Sequence, residues 1–294
     1  MCEGSRIINE HTIKTNYRSD QANKRQKIFT LEGQALRNEI AKKQKKIEKP
    51  KKNSFQGYEK EVLQVNDHGL YRFSKIANKN ALLYLPGGGF VLPISGLHWD
   101  YLSDLSEHVD VDIFVGIYPL APEFNVGDVL AFVEGSIARM KAMSYEEITI
   151  MGDSAGGNIA LAAVQLDEIK QHVDKVVAIS PLVDFALTNP AIVEVEKKDT
   201  IVATKALNEI RAWYAGDYLV DSPLISPING EFDDVKVLMV SGTRDVTNPD
   251  TNRMARMHGE IEYLEFPGLP HVFALYPIPE AREVNERVWG FVDG

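Results

Sequence analysis

The turn around Ser154 constrains the fold of this chain more than any other stretch. Residues 148–151 have isoleucine at alternating positions, which is the pattern of a strand, and residues 159–164 form an apolar run of helical type. The segment Gly-Asp-Ser-Ala-Gly-Gly-Asn joins them, which predicts a strand, a sharp turn and a helix with the serine at the turn. Gly152 and Gly156 lack the side chains that would crowd such a turn. The serine is then expected at a helix N-terminus, where free N–H groups favour negative charge.

A glycine-rich turn of this kind also occurs without any chemistry, so the rest of the chain has to supply partners for the serine. After a polar N-terminal segment, an initial hairpin is followed by alternating strand and helix patterns. Strands are predicted at residues 59–66, 70–76, 81–85, 111–118, 148–151, 173–179, 235–240 and 261–266, and helices at about 97–108, 126–143, 205–218, 248–257 and 279–292. This alternation predicts the α/β class, with a mostly parallel sheet and helices on both faces. Such sheets place their sites at the carboxyl ends of the strands.

Two residues after later strands are candidate partners of the serine. A serine hydroxyl becomes a good nucleophile when a base takes its proton and a carboxylate orients that base. His271 is the only histidine in a loop directly after a late strand, and Asp245 also follows a strand. Ser154, Asp245 and His271 thus occur in the order Ser–Asp–His that this strand–turn–helix arrangement predicts. We predict these three as catalytic residues, with Asp250 as the alternative acid.

Three consecutive glycines, at residues 87–89, follow the strand predicted at 81–85. Attack by a serine on an ester carbonyl places negative charge on the carbonyl oxygen, and preorganised N–H groups stabilise that charge. We predict an oxyanion hole made by the N–H groups of Gly88, Gly89 and Ala155, the alternative being a simple flexible turn. The run lacks G-x-G-x-x-G and a P-loop lysine, and the chain has no H-E-x-x-H and no Cys/His cluster. No cofactor and no metal are therefore predicted.

The first 53 residues differ from the rest by their basic character. Seven lysines cluster at positions 42, 43, 45, 46, 49, 51 and 52. Apolar residues at helical spacing predict one helix over about residues 20–48, and Pro50 ends it. The apolar stripe of this helix is expected to cover the mouth of the main domain. The lysines have two interpretations, a solvated outer face or a patch for anionic lipid or nucleic acid.

The composition of the chain limits which cellular compartments and which classes of partner are expected. The 294 residues have a formal net charge of −10, which argues against nucleic acid as the main partner. Cys2 is the only cysteine, so these residues form no intramolecular disulfide. No apolar run is long enough for a membrane span, and the first 20 residues lack the apolar segment of a signal peptide. A cytoplasmic location without stable membrane insertion is expected, and a homodimer is possible.

Several motifs together resemble the α/β-hydrolase fold, and within it the hormone-sensitive-lipase-like carboxylesterases. They are Pro-Gly-Gly-Gly-Phe at 86–90, Tyr-Pro-Leu-Ala-Pro-Glu at 118–123, the Ser154 segment, Asp-Ser-Pro-Leu-Ile-Ser-Pro at 221–227, and the loops of Asp245 and His271. The resemblance implies an eight-stranded, mostly parallel sheet with an antiparallel second strand. It also implies a helical cap, built from residues 1–53 and an insertion at about 183–218, over a catalytic domain of residues 54–294. One position departs from the family, because Pro86 replaces the histidine that opens its glycine motif.

These observations predict a serine hydrolase that cleaves small carboxylic esters through an acyl-enzyme. Nothing in the motifs distinguishes an ester from an amide, so an amidase or formamidase using the same triad is an alternative. A ligand-binding protein that has lost catalysis is a second alternative, supported by Pro86 alone.

Overall fold

The computed structural model describes residues 28–75 and 78–294. Its eight strands form one sheet in the order β1-β2-β4-β3-β5-β6-β7-β8. The strands are β1 (Glu59–Val65), β2 (His68–Ser74), β3 (Asn80–Leu85), β4 (Val111–Gly116), β5 (Glu147–Asp153), β6 (Lys175–Ile179), β7 (Lys236–Gly242) and β8 (Glu262–Phe266). β2 pairs antiparallel with β1 and β4, and every other described pair is parallel. The predicted eight-stranded sheet with an antiparallel second strand is confirmed.

Helices occupy the connections between the strands. They are α1 (Gly33–Gln44), α2 (Gly96–Leu105), α3 (Val126–Ala142), α4 (Ala155–Ala163), α5 (Asp167–Lys170), α6 (Ala191–Glu196), α7 (Thr204–Ala215), α8 (Asn248–Met257) and α9 (Pro279–Asp293). Almost every residue of the central strands β3, β4, β5 and β6 is buried. Since neighbouring side chains of a strand point to opposite faces, both faces of the sheet are covered there. No helix among the described residues has the length and apolar character needed to cross a bilayer.

The predicted helix over residues 20–48 is confirmed at residues 33–44 and wrong at residues 30–32 and 45–48, which are not helical, while residues 20–27 lie outside the described residues. The chain is helical at residues 28–29, leaves the helix, and resumes as α1 at Gly33, which has φ +55°. The carboxylate of Glu209 on α7 accepts the N–H of Gly33 at 3.0 and 2.9 Å, in place of a carbonyl of the preceding turn. A contact with a residue far along the chain therefore sets where α1 begins, and α1 ends at Gln44, before Pro50.

The apolar stripe of this N-terminal helix packs inward over only part of its predicted length. Leu36 and Ile40 are fully buried, whereas Ile47 is 47% exposed. On its polar side α1 contacts α7, where the guanidinium of Arg37 lies 4.4 Å from the centre of the Trp213 ring. The helix is thus anchored to the rest of the protein from two sides.

Smaller differences concern turns and a short helix. The hairpin turns at residues 66 and 67, both with positive φ, one residue before the turn predicted at 67–69. Residues 181–200, which lie outside the predicted strands and helices, contain the short helix α6, and the side chain of Asn189 accepts the N–H of Ala191 at its start. Neither difference moves the strand ends that carry the predicted site.

Candidate active site

Ser154 lies in the sharp turn between β5 and α4, with φ +53° and ψ −117°. A Cβ at Gly152 would stand 2.3 Å from the carbonyl carbon of Gly156, and a Cβ at Gly156 would stand 1.8 Å from the carbonyl oxygen of Leu85. Both distances are shorter than atoms tolerate, so glycine is required at both positions. The strained serine backbone and the close packing beneath it are typical of a nucleophile held clear of its sheet.

The structure brings together the three side chains predicted as a triad. His271 Nε2 lies 2.8 Å from Ser154 Oγ, and His271 Nδ1 lies 2.8 Å from Asp245 Oδ1. Asp245 follows β7 and His271 follows β8, so the carboxyl ends of three parallel strands supply the three groups. Both the histidine and the aspartate are buried. The arrangement can pass a proton from the hydroxyl to the imidazole and stabilise the resulting imidazolium.

The surroundings strengthen His271 as a base. Burial lowers the pKa of His271, but the charge of Asp245 and its hydrogen bond raise it, and Asp199 and Asp153 raise it further. The net pKa of His271 lies above its ordinary value. Asp245 is itself fixed by the N–H and the hydroxyl of Thr247, each donating to Oδ1 at 2.9 Å.

A second buried carboxylate, Asp199, lies beside this pair. One side-chain atom each of Asp199, Asp245 and His271 lie within 4.8 Å of one another. Burial raises the pKa of Asp199, His271 opposes that rise, Asp245 adds to it, and the result is a pKa of about 6. Three backbone N–H groups donate to its oxygens, those of Ile201, Val202 and Val246. Sequence reasoning missed Asp199 because it belongs to no motif and follows no strand directly.

The alternative acid, Asp250, is engaged elsewhere. The side chain of Asn189 donates to its Oδ1 at 2.9 Å, and Arg253 Nε lies 3.3 Å from the same oxygen. Among the described residues no hydrogen bond joins Asp250 to His271. These contacts hold the first turn of α8 and leave Asp245 as the acid that meets the histidine.

Asp199, Asp245 and His271 are also close enough together to hold a cation. However, both ring nitrogens of His271 are already occupied, one by Asp245 and the other by Ser154. A metal at this position would have to displace one of these bonds. The chemistry of the donor set therefore fits a proton relay better than a metal site.

The glycine loop after β3 forms one wall of the site. Gly87 uses its N–H for Asp153 Oδ1 at 2.8 Å, while no protein acceptor is found among the described residues for the N–H groups of Gly88 and Gly89. Ala155 is the first residue of α4, so its N–H has no partner within the helix. Among the described residues, the three N–H groups predicted for the oxyanion hole thus make no hydrogen bond within their own loop or helix. Gly88 and Gly89 line the same cavity as the serine.

A buried carboxylate supports this loop from below. Asp153 Oδ1 accepts the hydroxyl of Tyr84 at 2.6 Å in addition to the N–H of Gly87, and His98 Nε2 lies 3.4 Å away. The N–H of Ser95 donates to His98 Nδ1, which places the ring proton of a neutral His98 on the nitrogen that faces Asp153. Burial raises the pKa of Asp153, but His98 and the hydrogen bonds outweigh it, so the net pKa is lowered. The sequence indicated no role for His98.

The same network shows how the loop is held without the family histidine. The hydroxyl of Tyr118, from the Tyr-Pro-Leu-Ala-Pro-Glu segment, donates to the carbonyl oxygen of Pro86 at 2.5 Å. The N–H groups of Val91 and Leu92 both donate to the carbonyl oxygen of Gly88. The loop is therefore held at Pro86, where the chain departs from the family, and again at Gly88.

A cavity of about 390 Å³ lies above these groups. Its walls are mainly apolar, with Ile28, Phe29, Leu92, Pro93, Ile94, Ile201, Val202 and Val272. The charged residues along it are Lys42, Lys43, Lys46, Glu48 and Asp153. The hydroxyl of Ser154 thus opens into an apolar space of small-molecule size.

A family model for the alpha/beta hydrolase fold matches residues 82–275, more than half of the chain. The chain belongs to the α/β-hydrolase-fold family. Esterase LipU of Mycobacterium tuberculosis is 33% identical over 147 residues, which are 49% of this chain and 48% of LipU. The versiconal hemiacetal acetate esterase of Emericella nidulans is 27% identical over 251 residues, which are 75% of this chain and 83% of that protein.

Among solved structures, a candidate esterase from Staphylococcus aureus is similar to this α/β hydrolase with a TM-score of 0.82 and 25% identity. The match covers 90% of this chain and 95% of the staphylococcal one. The match to LipU, by contrast, spans only about half the length of that relative. Together with the family match, these likenesses confirm the resemblance recognised from the sequence motifs.

Proposed function

We propose that this α/β hydrolase cleaves small carboxylic esters through an acyl-enzyme formed on Ser154. The observation that carries the proposal is the pair of 2.8 Å distances that join Ser154 Oγ, His271 and Asp245 in one relay. The likeness to proteins that are named esterases supports ester chemistry, and one of them is named for a hemiacetal acetate.

In the first half-reaction, Ser154 Oγ attacks the carbonyl carbon of the ester while its proton moves to His271 Nε2. The carbonyl oxygen becomes negative, and the N–H groups of Gly88, Gly89 and Ala155 are the proposed donors to it. Removing one such donor typically costs about 3–4 kcal/mol of barrier. When the tetrahedral intermediate collapses, the bond to the alcohol oxygen breaks and His271 returns the proton to the departing alcohol.

In the second half-reaction, water takes the place of the alcohol. His271 removes a proton from the water, whose oxygen attacks the acyl carbon, and Ser154 Oγ leaves as the proton returns to it. Asp245 keeps the imidazole in the tautomer with its proton on Nδ1 throughout. The acid product and the free serine complete the cycle without a metal or an organic cofactor.

We also propose that residues 1–53 and about 183–218 act together as a cap over this site. Contacts between α1 and α7 support the proposal, among them the bonds from Gly33 to Glu209 and an ion pair of 2.8 Å between Lys205 and Glu32. Both parts also supply cavity walls, Phe29 from one and residues 201–202 from the other. The size and shape of the acyl pocket then depend on how the two parts meet.

The natural substrate is proposed to be a small molecule that meets the enzyme in the cytoplasm. A single cysteine within these 294 residues supports a location that needs no disulfide, and the acidic net charge argues against nucleic acid. A homodimer stays a prediction, to be tested by light scattering.

The proposal is tested by reacting the folded protein with a fluorophosphonate and mapping the adduct. A single adduct on Ser154, absent from the His271→Ala variant, is the expected result, because an unassisted serine hydroxyl is a poor nucleophile. Acetyl and butyryl esters of 4-nitrophenol, with the matching anilides, then separate esterase from amidase activity. A well-folded protein without any adduct would contradict the proposal and favour the ligand-binding alternative.

A further inference from the structure

The lysine cluster of residues 42–52 divides into two groups in the structure. Lys42, Lys43 and Lys46 line the cavity that contains Ser154, and we call these three the cavity lysines. The other four do not line it, and one of them, Lys51, is paired with Asp100 at 2.6 Å. A uniform solvated face, the first interpretation of this cluster, does not account for three lysines that line the cavity containing Ser154.

The negative charges near the cavity lysines offset them only in part. Lys42 and Lys43 lie 3.8 and 4.0 Å from the carboxylate of Glu39, at the outer limit of an ion pair. The N–H of Lys46 donates to the carbonyl oxygen of Lys43, and its side chain makes no hydrogen bond or ion pair with any described residue. Glu48 also lines the cavity, but its Oε2 accepts the N–H of Gly96 at 2.7 Å. Of the two carboxylates that line the cavity, Glu48 is thus partly engaged and Asp153 is bonded to Tyr84 and Gly87. Glu39 is shared between two of the three lysines.

The position of α1 explains part of this arrangement without reference to a ligand. Lys42 and Lys43 occupy the last turn of α1, where cations complement the helix dipole. The dipole, however, favours cations at any position around that turn, and it does not reach Lys46 beyond the helix end. The dipole therefore does not explain why all three lysines line one cavity.

The cavity has apolar walls in one part and the three cavity lysines in another. Phe29, Ile94, Ile201, Val202 and Val272 are among its apolar walls. A protein with a formal net charge of −10 would otherwise repel anions, so a local group of three lysines changes which molecules collect at the site. An apolar molecule with a negative group at one end matches both regions.

We propose that the esters cleaved at Ser154 carry an anionic group, a carboxylate, sulfonate or phosphate, remote from the scissile bond and bound by Lys42, Lys43 and Lys46. This substrate class rests on the proposed esterase function. The lysines are exposed, so each contributes a modest, salt-sensitive attraction. Their combined effect on kcat/KM is expected to be on the order of tenfold.

The test compares anionic and neutral esters that differ in charge alone as nearly as possible. One pair, 4-acetoxybenzoate and 4-acetoxybenzamide, places the charge on the alcohol portion. A second pair, the 4-nitrophenyl half-ester of suberic acid and 4-nitrophenyl octanoate, places it on the acyl portion. Because intrinsic reactivity differs within a pair, the quantity measured is the change in the anionic-to-neutral ratio of kcat/KM between variants.

Two triple variants remove the same charge from the same cluster. K42Q/K43Q/K46Q neutralises the cavity lysines, and K45Q/K49Q/K52Q neutralises three lysines outside the cavity. The first variant is expected to lower the ratio about tenfold in at least one pair, and high salt should lower the wild-type ratio in the same pair. The second variant is expected to leave the ratio unchanged. Which pair responds shows which portion of the ester lies at the mouth.

Several outcomes would overturn the inference. Equal losses in the two triple variants would mean that the overall field acts rather than the cavity lysines, and no loss in either would mean that the lysines do not contact substrate. Weaker sedimentation of K42Q/K43Q/K46Q with phosphatidylserine vesicles, with an unchanged ester ratio, would assign these lysines to a membrane surface. If neither member of any pair is hydrolysed and no fluorophosphonate adduct forms, the proposed function itself fails, and the substrate class fails with it.

Discussion

Replacing Asp199 with asparagine should move the acidic limb of the pH–rate profile to lower pH. Asp199 is buried next to Asp245 and His271, with side-chain atoms of the three groups within 4.8 Å. His271 acts as a base only in its neutral form, so the rate falls as pH drops through its pKa. Asp199 helps to raise that pKa above the ordinary value. Asparagine keeps the shape and one acceptor oxygen but removes the negative charge, so the pKa of His271 falls.

The distance sets the scale of this shift. Two unit charges 4.8 Å apart interact by about 3.5 kcal/mol at an effective dielectric constant of about 20, which corresponds to about 2.5 pKa units. The real effect is smaller, because backbone N–H groups share the charge of Asp199 and its own pKa of about 6 leaves it partly protonated in the same pH range. A downward shift of about one pH unit is expected.

The assay is kcat/KM for 4-nitrophenyl acetate between about pH 5 and pH 8 in the wild type and in Asp199→Asn, with the plateau rate measured separately. Asp250→Asn is the control, since Asp250 is also a buried carboxyl but is bonded to Asn189 and Arg253. Thermal unfolding shows whether either variant has lost its fold. An acidic limb that stays in place or moves to higher pH, in a folded variant with a normal plateau, would refute this electrostatic reasoning.

Three further substitutions probe the loop and the cap. Asp153→Asn weakens the hydrogen bond that the N–H of Gly87 donates to residue 153. We expect kcat for an acetyl ester to fall about 10- to 100-fold with little change in KM. An equal change in kcat and KM would contradict this expectation. Gly89→Ala introduces a Cβ 2.7 Å from the ring of Phe29, at a position where the backbone φ is +60°. Esterase activity should therefore fall at least about tenfold. An unchanged rate would show that the loop tolerates the added methyl group. Glu209→Ala removes the acceptor at the start of α1 and should lower the free energy of unfolding in urea by about 1 kcal/mol, whereas Glu209→Gln should lose less.

Local patterns were enough to predict most of the fold. Apolar runs and alternation indicated every strand of the sheet to within a few residues, because buried strands need continuous apolar side chains. The rule that parallel strands end at one edge then predicted that Ser154, Asp245 and His271 would lie together, and the structure brings them within hydrogen-bond distance. Their catalytic roles stay predictions until the serine is labelled.

The features that sequence reasoning missed depend on residues far apart in the chain. Asp199 reaches the site through the packing of an irregular segment, and no periodicity marks a residue of that kind. His98 had the pattern of an ordinary helix residue, yet its Nε2 faces Asp153 across the sheet edge. The break before α1 follows from a bond between Gly33 and Glu209, which a helical apolar stripe cannot indicate.

The packing of Phe29 against Gly89 means that a residue from the N-terminal part of the described chain helps to complete the site. The ring of a residue near the start of the chain forms part of the wall beside a proposed oxyanion donor, while His271 comes from a loop near its end. The family match begins only at residue 82, so it includes Ser154, Asp245 and His271 but leaves out Phe29. The pocket is therefore complete only when Phe29 and the loop of His271, from opposite ends of the described chain, are both in place. The segment that matches the family and the segment that forms the pocket thus have different boundaries in this protein.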